Sequence, residues 1–585
     1  RIPLHGVPME KRLILAIILS VVVLVAYQMI FVKTPLPSPA VPQVQKGQPG
    51  PAKPDTPPPA AASAPQPEAP AIDAAATAPA IPETRVDPRT VTIDSDHFTA
   101  RLDNRGAVLR SLVLKKYHED GEGGVELIPS VLPSDFGSFL SLYLPSQPDL
   151  ETELARLVYQ VDEETVTEEG RSIHQVRFTY RRTNLEVEKR VSFPSDSPYV
   201  IGVQCRVVYR GQALAPLVQI GPGLTEHDLV PAEQYQTPPQ IIYFDGGSTS
   251  TLDGQKVSDE KDGQQMIRGS LKWAGVQTKF FAALAMGAFP EIRATNRVWS
   301  HTAKGGAAKT AHVVSVFFPA GSNAATIPVY FGPKSYDIMS GISSDLAQAI
   351  DFGWFGIIVK PLYYALRWLN QYVSNWGWCI VILTFFITLA LFPIRFFQMK
   401  SMKQMQRIQP QMKAIQAKYK GSKSAEDRQK MNMEMMQLYK EHGVNPMSGC
   451  LPMVVQIPFL IAFYNLIDKS IEFWRQPFVF WLKDLSAPDP YWITPVVMGL
   501  TMIIQIKQTS ATSPAPDSKV QQAMMTYMMP AMMTFFFLNM SSGLVVYFLF
   551  SNVFAWLMQK AVEQFLPSGE PVKGKKVKAK KAITR

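Results

Sequence analysis

The stretch WGWCIVILTFFITLALFPIRFFQMKSMKQMQRIQP, residues 376–410, decides the fold class of this chain. Its first half, Trp376 to Pro393, carries no charged residue and approaches the roughly 20 apolar residues that a helix needs to cross a bilayer. Its second half is basic from Arg395 onward, and basic residues beside an apolar run are typical of the cytoplasmic side of a membrane. The stretch therefore predicts a membrane-spanning helix with its carboxyl end in the cytoplasm.

Five more apolar runs are similar, so we expect the chain to cross the membrane about six times. With transmembrane helix 2 at 376–393, the other candidate spans are 13–32, 447–467, 491–506, 524–540 and 544–558. The first span follows Lys11 and Arg12 and is longer than the apolar core of a signal peptide, which favours an uncleaved anchor. Residues 1–8 precede Met9 and are expected to be a cloning remnant.

A large polar region separates the first span from the second. Residues 33–88 are rich in Pro and Ala and predict a disordered linker, because this composition buries too little apolar surface to fold. From 89 to 335, short runs that alternate apolar and polar residues, such as Leu185 to Phe193, predict an antiparallel β-sandwich. The predicted fold class is an α-helical polytopic membrane protein with a large extracytoplasmic β-sandwich domain.

The segment 345–375 connects the β domain to span 2 and predicts an amphipathic helix in the membrane interface. Leu362, Leu366 and Leu369 recur at helical spacing. Trp354 and Trp368 add the aromatic side chains that favour the interface. An amphipathic helix packed on the β domain is the alternative interpretation.

The positions of the basic residues predict the orientation of the chain. The net charge is +10, but the Lys and Arg residues flank apolar runs, so no specific nucleic-acid sequence is expected as a partner. The Lys11-Arg12 pair, the segment 394–445 and the basic tail 567–585 all fall on one side if the six spans alternate. Both termini are then cytoplasmic, and the β domain lies on the other side of the membrane.

The basic segment 394–445 predicts a cytosolic helical hairpin. Apolar residues recur at spacings of three and four on both sides of a Gly-Ser break at 421–424. Pro410 predicts a kink or a restart in the first helix. Methionine side chains are flexible and suit a surface that contacts many apolar shapes, although core filling is the alternative for each of them. The candidate contact residues are Met405, Met412, Met431 and Met435.

No pattern in the chain indicates covalent chemistry. Glu441-His442 lacks the second His of a His-Glu-x-x-His zinc helix, and Gly421 to Ser424 lacks the Gly-Lys pair of a phosphate-binding loop. The three cysteines are too few and too scattered for a disulfide framework or a zinc site. We therefore expect no enzyme activity, no catalytic residue, no cofactor and no metal.

Uncharged polar side chains interrupt the apolar spans. They are Thr384, Thr388, Gln456, Asn465, Gln505, Ser551 and Asn552. A polar side chain costs free energy when it faces lipid, so these residues are expected to face the bundle interior or a wet cavity. Hydrogen bonding between packed helices is the alternative for each single residue. Together they predict a polar groove within the membrane.

Consecutive motifs run through the last third of the chain. They are Trp376-Gly377-Trp378, Asn445-Pro446-Met447-Ser448-Gly449, Gln456-Ile457-Pro458, Met528-Met529-Pro530 and Gly543-Leu544-Val545-Val546-Tyr547. Their order and spacing resemble those of the YidC-type membrane protein insertases. The anchor, the Pro/Ala linker and the β-sandwich resemble the Gram-negative form of that family, which has a large periplasmic domain.

The resemblance implies an insertase and chaperone in the bacterial inner membrane, which inserts and helps to fold integral membrane proteins alone or with the Sec translocon. The implied partners are nascent membrane proteins, the Sec translocon, the ribosome and membrane lipids. The groove residues that the resemblance implies as client contacts are Thr384, Thr388, Gln456, Tyr547 and Phe548.

One departure from the family pattern concerns the charge of the groove. The family usually has an arginine where this chain has Thr388. Arg395 lies seven residues further on, on nearly the same face of a straight helix, and is a candidate substitute. The alternative is that Arg395 only extends to the inner membrane interface.

Two other functions are open from the residues alone. A polytopic small-molecule transporter would usually show internal repeats, and the sequence shows none. A membrane-anchored sugar-binding or sugar-modifying β-sandwich protein is also open, because a fold does not decide a function.

Overall fold

A computed structural model describes residues 86–118, 123–168, 170–225, 237–258, 263–302, 308–320, 325–419, 424–443, 451–512 and 522–565. The predicted anchor at 13–32, almost all of the linker 33–88 and the basic tail 567–585 lie outside the described residues.

The amino-terminal part is built from antiparallel strands. They are β1 Thr90–Asp94, β2 Phe98–Asp103, β3 Val108–His118, β4 Gly124–Glu126, β5 Leu142–Tyr143, β6 Gln160–Glu168, β7 Arg171–Arg182, β8 Leu185–Pro194, β9 Val200–Tyr209, β10 Gln212–Leu214, β11 Leu217–Ile220, β12 Gln240–Phe244, β13 Thr249–Asp253, β14 Gln264–Gln277, β15 Phe281–Thr302, β16 Ala308–Pro319 and β17 Ile327–Pro333. Two short helices, α1 Pro148–Arg156 and α2 Gly254–Ser258, lie between strands.

These strands form two sheets. The smaller sheet has the order β1-β2-β3-β4, and the main path of the larger sheet is β13-β12-β14-β15-β17-β9-β8-β7-β6. The long strand β15 pairs with β14 over most of its length, with β17 near its start and with β16 near its end, so it connects the two parts of the larger sheet. The apolar side chains of both sheets pack into one core, which confirms the predicted β-sandwich.

Strand β8 shows why the alternating sequence produces this core. Its residues are buried at every second position, so Leu185, Val187, Val191 and Phe193 all face inward. Lys189 occupies an inward position as well and is fully buried, although the pattern calls for an apolar residue there.

The carboxyl-terminal part is helical. Its helices are α3 Tyr336–Ile342, α4 Gly356–Asn370, α5 Trp376–Ala390, α6 Phe392–Lys418, α7 Ala425–Glu441, α8 Leu451–Lys469, α9 Ile493–Thr512, α10 Met529–Phe537, which a π-helical turn precedes, and α11 Ser542–Phe565. Helices α5, α8 and α9 all pack against α11, which therefore lies centrally in this group.

Two helix predictions need correction. The segment 345–375 is not one helix: α4 begins only at Gly356, after two 3-10 turns, because Gly353 with its positive φ interrupts the regular backbone. The first hairpin helix does not restart at Pro410, which lies inside the continuous helix α6. Ile408 and Met412, on either side of Pro410, both pack in the hairpin core, and the kink that Pro410 also predicts stays a prediction.

The number of membrane crossings is not decided by helix length. Among the described residues, one helix, Ser542–Val562, is long and apolar enough to span a membrane by length and composition. Trp376–Ala390 and Phe392–Met405 meet the same criteria together, with a bend of 53° between them. Ile493–Gln508 and Met524–Phe537 are apolar but shorter. Six crossings therefore remain a prediction.

The β domain and the helices share an interface. Trp474, which follows α8, packs on Phe281 and Tyr117 of the β domain with ring centroids 5.3 and 6.3 Å apart. Lys279 forms an ion pair with Asp468 at 2.8 Å. The loop after α8 therefore lies on the same side of the helices as the β domain.

Candidate functional site

Three helices and one bend bring the predicted groove residues together. Thr384 and Thr388 lie on α5, Gln456 lies on α8, and Tyr547 and Phe548 lie on α11. Arg395 lies in the first turn of α6, just after the bend that follows Ala390. The expectation that Arg395 continues the straight face of span 2 is therefore wrong, because the two helices meet at 53°.

The side chain of Gln456 is the centre of the site. Its Oε1 atom accepts a hydrogen bond from Nη2 of Arg395 at 3.1 Å. Its Nε2 atom donates to the hydroxyl of Tyr547 at 2.6 Å and to Oγ of Ser551 at 3.3 Å. One amide thus connects three helices, and it links the cationic side chain to two hydroxyl groups.

The ring of Tyr547 is held in place from the other side. It is fully buried and stacks on Phe463 of α8, with ring centroids 4.0 Å apart and an interplanar angle of 12°. An aromatic stack and a hydrogen bond fix the ring plane and the hydroxyl direction together. The polar cluster of Arg395, Gln456, Tyr547 and Ser551 therefore has a defined geometry within an apolar bundle.

Thr384 and Thr388 contribute differently from the expectation. Both side chains are buried, and each hydroxyl donates to a carbonyl of its own helix, Thr384 to Ile380 at 2.6 Å and Thr388 to Thr384 at 2.7 Å. This local bonding uses the hydroxyl protons and leaves only lone pairs for another partner. The structure gives neither residue a hydrogen bond to the polar cluster among the residues it describes.

Phe548 lies on a different side of α11 from Tyr547. It follows Tyr547 directly, so it lies about 100° around the helix, since α-helices have 3.6 residues per turn. Its ring packs on Phe537 of α10 with centroids 5.2 Å apart. Its described contact is therefore with the apolar side of the bundle.

Two further polar residues of the predicted groove, Ser551 and Asn552, lie on α11 after Tyr547. Ser551 bonds to Gln456 and lies one helical turn after Tyr547, a spacing that the sequence shows plainly. Asn552 is buried, and its Nδ2 atom has no hydrogen-bond partner among the residues that the structure describes.

The methionines of the hairpin divide into two groups. Met405 and Met412 are buried with Ile408 and Leu438 in the hairpin core, and Met435 packs against that core. Burial supports the core-filling interpretation for Met405 and Met412, whereas Met431 is half-buried. The most exposed methionines of α7 are Met433 and Met436, which sequence reasoning did not select.

An exposed apolar surface runs along α5 and the start of α6, beside the polar cluster. Its large side chains are Phe385, Phe386, Leu389, Ile394 and Phe397. Within the described residues, no group of three or more His, Cys, Asp and Glu side chains could hold a metal ion.

Comparisons with known proteins extend over nearly the whole chain. The family model described as 60Kd inner membrane protein matches residues 368–568, and the one described as YidC periplasmic domain matches residues 90–365. A protein of Geobacter metallireducens named membrane protein insertase YidC is 32% identical over 569 residues, which cover 96% of this chain and 100% of the relative. The relative of that name in Pelobacter propionicus is 34% identical and covers 93% of this chain and 97% of its own length.

The solved structures include an active YidC insertase with its first transmembrane domain resolved. It is 18% identical and covers 83% of this chain and 94% of its own chain, with a TM-score of 0.34.

Proposed function

This chain belongs to the YidC family of membrane protein insertases, and from that premise we propose that it inserts clients through the polar cluster of Arg395, Gln456, Tyr547 and Ser551. It is a membrane protein with a periplasmic β domain, and its family acts on nascent membrane proteins. The proposal concerns how these residues do this work.

The hydrogen bonds of Gln456 carry the proposal. A buried polar cluster is costly in an apolar bundle, and polar groups at membrane depth usually mark a pathway or a wet cavity. Two of the four side chains, Arg395 and Gln456, are only half-buried, so the cluster is open to an entering chain. A client's polar segment would exchange hydrogen bonds with this cluster while its apolar segment slides along the exposed surface of α5.

The energetic role of the cluster is to lower the cost of moving a polar segment into the bilayer. An amide or hydroxyl without a hydrogen-bond partner costs roughly 2–7 kcal/mol in an apolar environment. Donors and acceptors in the cluster remove part of this cost for each group that they bind. No nucleotide is needed, because the apolar helix of the client supplies the driving force when it enters the lipid.

Topology and partners are part of the same proposal. We propose six crossings with both termini in the cytoplasm, which the positions of Lys11, Arg395 and the tail lysines support. The basic hairpin α6–α7 is then cytosolic, and its positive charge suits contact with ribosomes. Joint action with the Sec translocon is proposed from family membership.

Reconstitution tests the proposal. Purified protein in liposomes should insert a short membrane client without nucleotide, and Gln456→Leu should lower the inserted fraction several-fold, because it removes the amide that joins the cluster. Thr501→Val is the matched control, since the Thr501 hydroxyl donates to the backbone of its own helix at Met498. Equal insertion by Gln456→Leu and the original protein would show that the cluster is not the path.

The two rival functions give different results in the same liposomes. A transporter would move a solute and leave the client outside, and a sugar-modifying protein would convert a sugar without inserting anything.

A further inference from the structure

We propose that Phe480 is a lipid wedge: residues 470–492, between α8 and α9, insert this side chain into the outer leaflet at the level of the headgroups. The wedge lies outside the polar cluster, so the inference does not depend on how clients pass through the protein. It assigns a lipid-binding surface to a loop that carries none of the predicted groove residues.

The loop has a fixed shape although it contains only one short 3-10 turn. Phe478 N donates to Leu482 O at 2.9 Å and Leu482 N to Val479 O at 3.0 Å, which closes a tight turn around Phe480. The amide of Leu485 donates to Gln476 O at 3.0 Å and closes the base of the same turn. The backbone therefore holds the tip of the loop in one position.

Phe480 stands at the tip of this turn under two unfavourable conditions. Its backbone φ is 51°, a left-handed conformation that residues other than glycine rarely adopt. Its side chain is 89% exposed, which is unfavourable for a large aromatic group in water. Strained backbone conformations persist where the surrounding structure holds them and often mark functional positions. Burial of the ring in lipid would remove the second cost.

The residue below the tip is anchored in the protein. The ring of Trp481 stacks under Phe480 with centroids 6.0 Å apart and an interplanar angle of 20°. Its Nε1 atom donates to Oδ2 of Asp489 at 3.2 Å. Asp489 is buried and also accepts hydrogen bonds from the amide and the hydroxyl of Thr494 at the start of α9. The wedge is therefore fixed to the end of a helix.

The charges of the loop suit a lipid surface. Its acidic side chains turn inward: Oε2 of Glu472 is buried and its Oε1 accepts a hydrogen bond from Ser335, and Asp484 accepts from the amides of Arg475 and Ser486. Lys483, next to the wedge, is exposed. The outer face of the loop thus presents aromatic rings and a lysine, a combination that favours headgroups, especially anionic ones.

Continuity with the helices selects lipid over a protein partner. Tyr491 and Trp492 are exposed at the end of the loop, directly before α9. The exposed apolar residues that follow at helical spacing form one stripe of α9, consisting of Ile493, Val496, Val497, Leu500 and Ile504. In a membrane protein such a stripe faces acyl chains, and aromatic residues at its end lie at the headgroup level. The contacts of Trp474 with the β domain place the loop on the periplasmic side, hence at the outer leaflet.

Photocrosslinking in a defined bilayer tests the wedge. The full-length protein is prepared with p-benzoylphenylalanine at position 480, 492 or 131 and reconstituted in nanodiscs of phosphatidylethanolamine and phosphatidylglycerol without any client. Val131 is the control, because it is an exposed apolar residue of the β domain. After irradiation, lipid adducts are measured by intact mass. We expect adducts at 480 and 492 that exceed the signal at 131 several-fold.

Two other crosslinking results would contradict the proposal that Phe480 inserts into lipid. A dimer-sized protein adduct at 480 would assign the surface to a second copy of the chain. Lipid adducts at 492 without any at 480 would limit the lipid contact to the end of α9. Because no client is present, failure here leaves the proposed insertion path untouched, and failure of insertion leaves this result untouched.

Discussion

Lys189 in the β domain and Arg395 in the helical part are both cationic side chains turned toward the protein interior, but their partners differ. Lys189 is fully buried, and its ammonium group donates to the backbone carbonyls of Ala107, at 2.6 Å, and of Leu140. Arg395 is half-buried, and its described hydrogen bond goes to the side-chain amide of Gln456. The first cation is enclosed by backbone carbonyls, and the second is bound by the side-chain amide of another helix.

This difference in partners indicates that Lys189 has a structural role and that Arg395 can bind a ligand. Ala107 and Leu140 both have positive φ, so Lys189 holds two strained backbone positions together inside a closed core. A guanidinium has five donors, and a single amide oxygen satisfies only one of them. Among the residues that the structure describes, Arg395 therefore has donors left for a ligand, whereas Lys189 is enclosed in the core.

The largest effect that tests this comparison is the pH dependence of β-domain stability. Burial lowers the pKa of Lys189 to about 8 from 10.5. A lysine with a lowered folded-state pKa binds fewer protons in the folded state, so stability rises as pH increases from about 8 toward 10.5. The shift corresponds to a gain of roughly 3 kcal/mol in the free energy of unfolding between neutral and alkaline pH.

Lys189→Met removes this gain and keeps a side chain of similar length. Denaturant unfolding of both proteins, followed by the loss of the β-sheet circular dichroism signal, should give a stability difference that shifts with rising pH in favour of the lysine protein. The readout is the change of this stability difference with pH. The variant also leaves two carbonyls without a donor, but that cost is the same at every pH. If the stabilities of the two proteins changed with pH in parallel, Lys189 would not be a buried cation, and its contrast with Arg395 would be wrong.

A smaller effect is expected at Arg395. Replacement by Ala should reduce insertion of clients with acidic extracytoplasmic tails more than insertion of neutral ones. Two opposite charges about 4 Å apart attract by about 1 kcal/mol in a water-like medium, and this half-open position is closer to that limit than a dry interior. The expected loss is therefore partial, about fivefold in the inserted fraction of acidic clients.

A second substitution sharpens this test. Thr388→Arg in the Arg395→Ala background places a guanidinium where the family usually has one. It should restore the insertion of clients with acidic tails. If Arg395→Ala changes no client while Gln456→Leu impairs all of them, the site works by hydrogen bonding alone. Arg395 would then only anchor the helix at the inner membrane interface.

The sequence predicted elements that depend on neighbouring residues and missed contacts that depend on distant ones. The apolar run of α5 and the alternation of β8 are local patterns, and both appear in the structure. Lys189 breaks the alternation because its two acceptors lie 82 and 49 residues away in the chain. No local pattern could indicate that an inward position in this strand would receive two carbonyl groups.

In the candidate site, too, the residues were predictable from the sequence and their contacts were not. The groove residues came from motifs, but the bond between Arg395 and Gln456 joins positions 61 residues apart and depends on the bend after α5. A straight helix was the natural assumption from an apolar run. Ser551, four residues after Tyr547, was predicted as a polar residue of the spans, and its spacing places it on the same helix face as Tyr547.

The smallest predicted effect concerns a third ionisable side chain, the half-buried Glu472, where the β domain meets the helices. The Tyr363 hydroxyl lies 2.8 Å from Oδ2 of Asp337 and 2.9 Å from Oε1 of Glu472, and it has only one proton to donate. Arg367 pairs with Asp337, and Ser335 donates to Glu472 at 3.0 Å. Burial raises the pKa of Glu472 above its ordinary value, which favours a protonated carboxyl that shares the hydroxyl with Asp337.

The sign of the effect follows from this raised pKa. The folded state binds the Glu472 proton more tightly than the unfolded state, so the interface is most stable below the ordinary pKa of 4.5 and loses stability as pH rises through the folded-state value. Glu472→Gln stays neutral at every pH and should remove this dependence. Hydrogen exchange of α3 and residues 471–473, corrected for intrinsic rates, measures it. Asp468→Asn is the control, since it removes the ion pair with Lys279 from the same interface and should keep the original pH dependence. Equal pH dependence in all three proteins would show that Glu472 is ionised like any surface carboxylate and that the interface holds no buried proton.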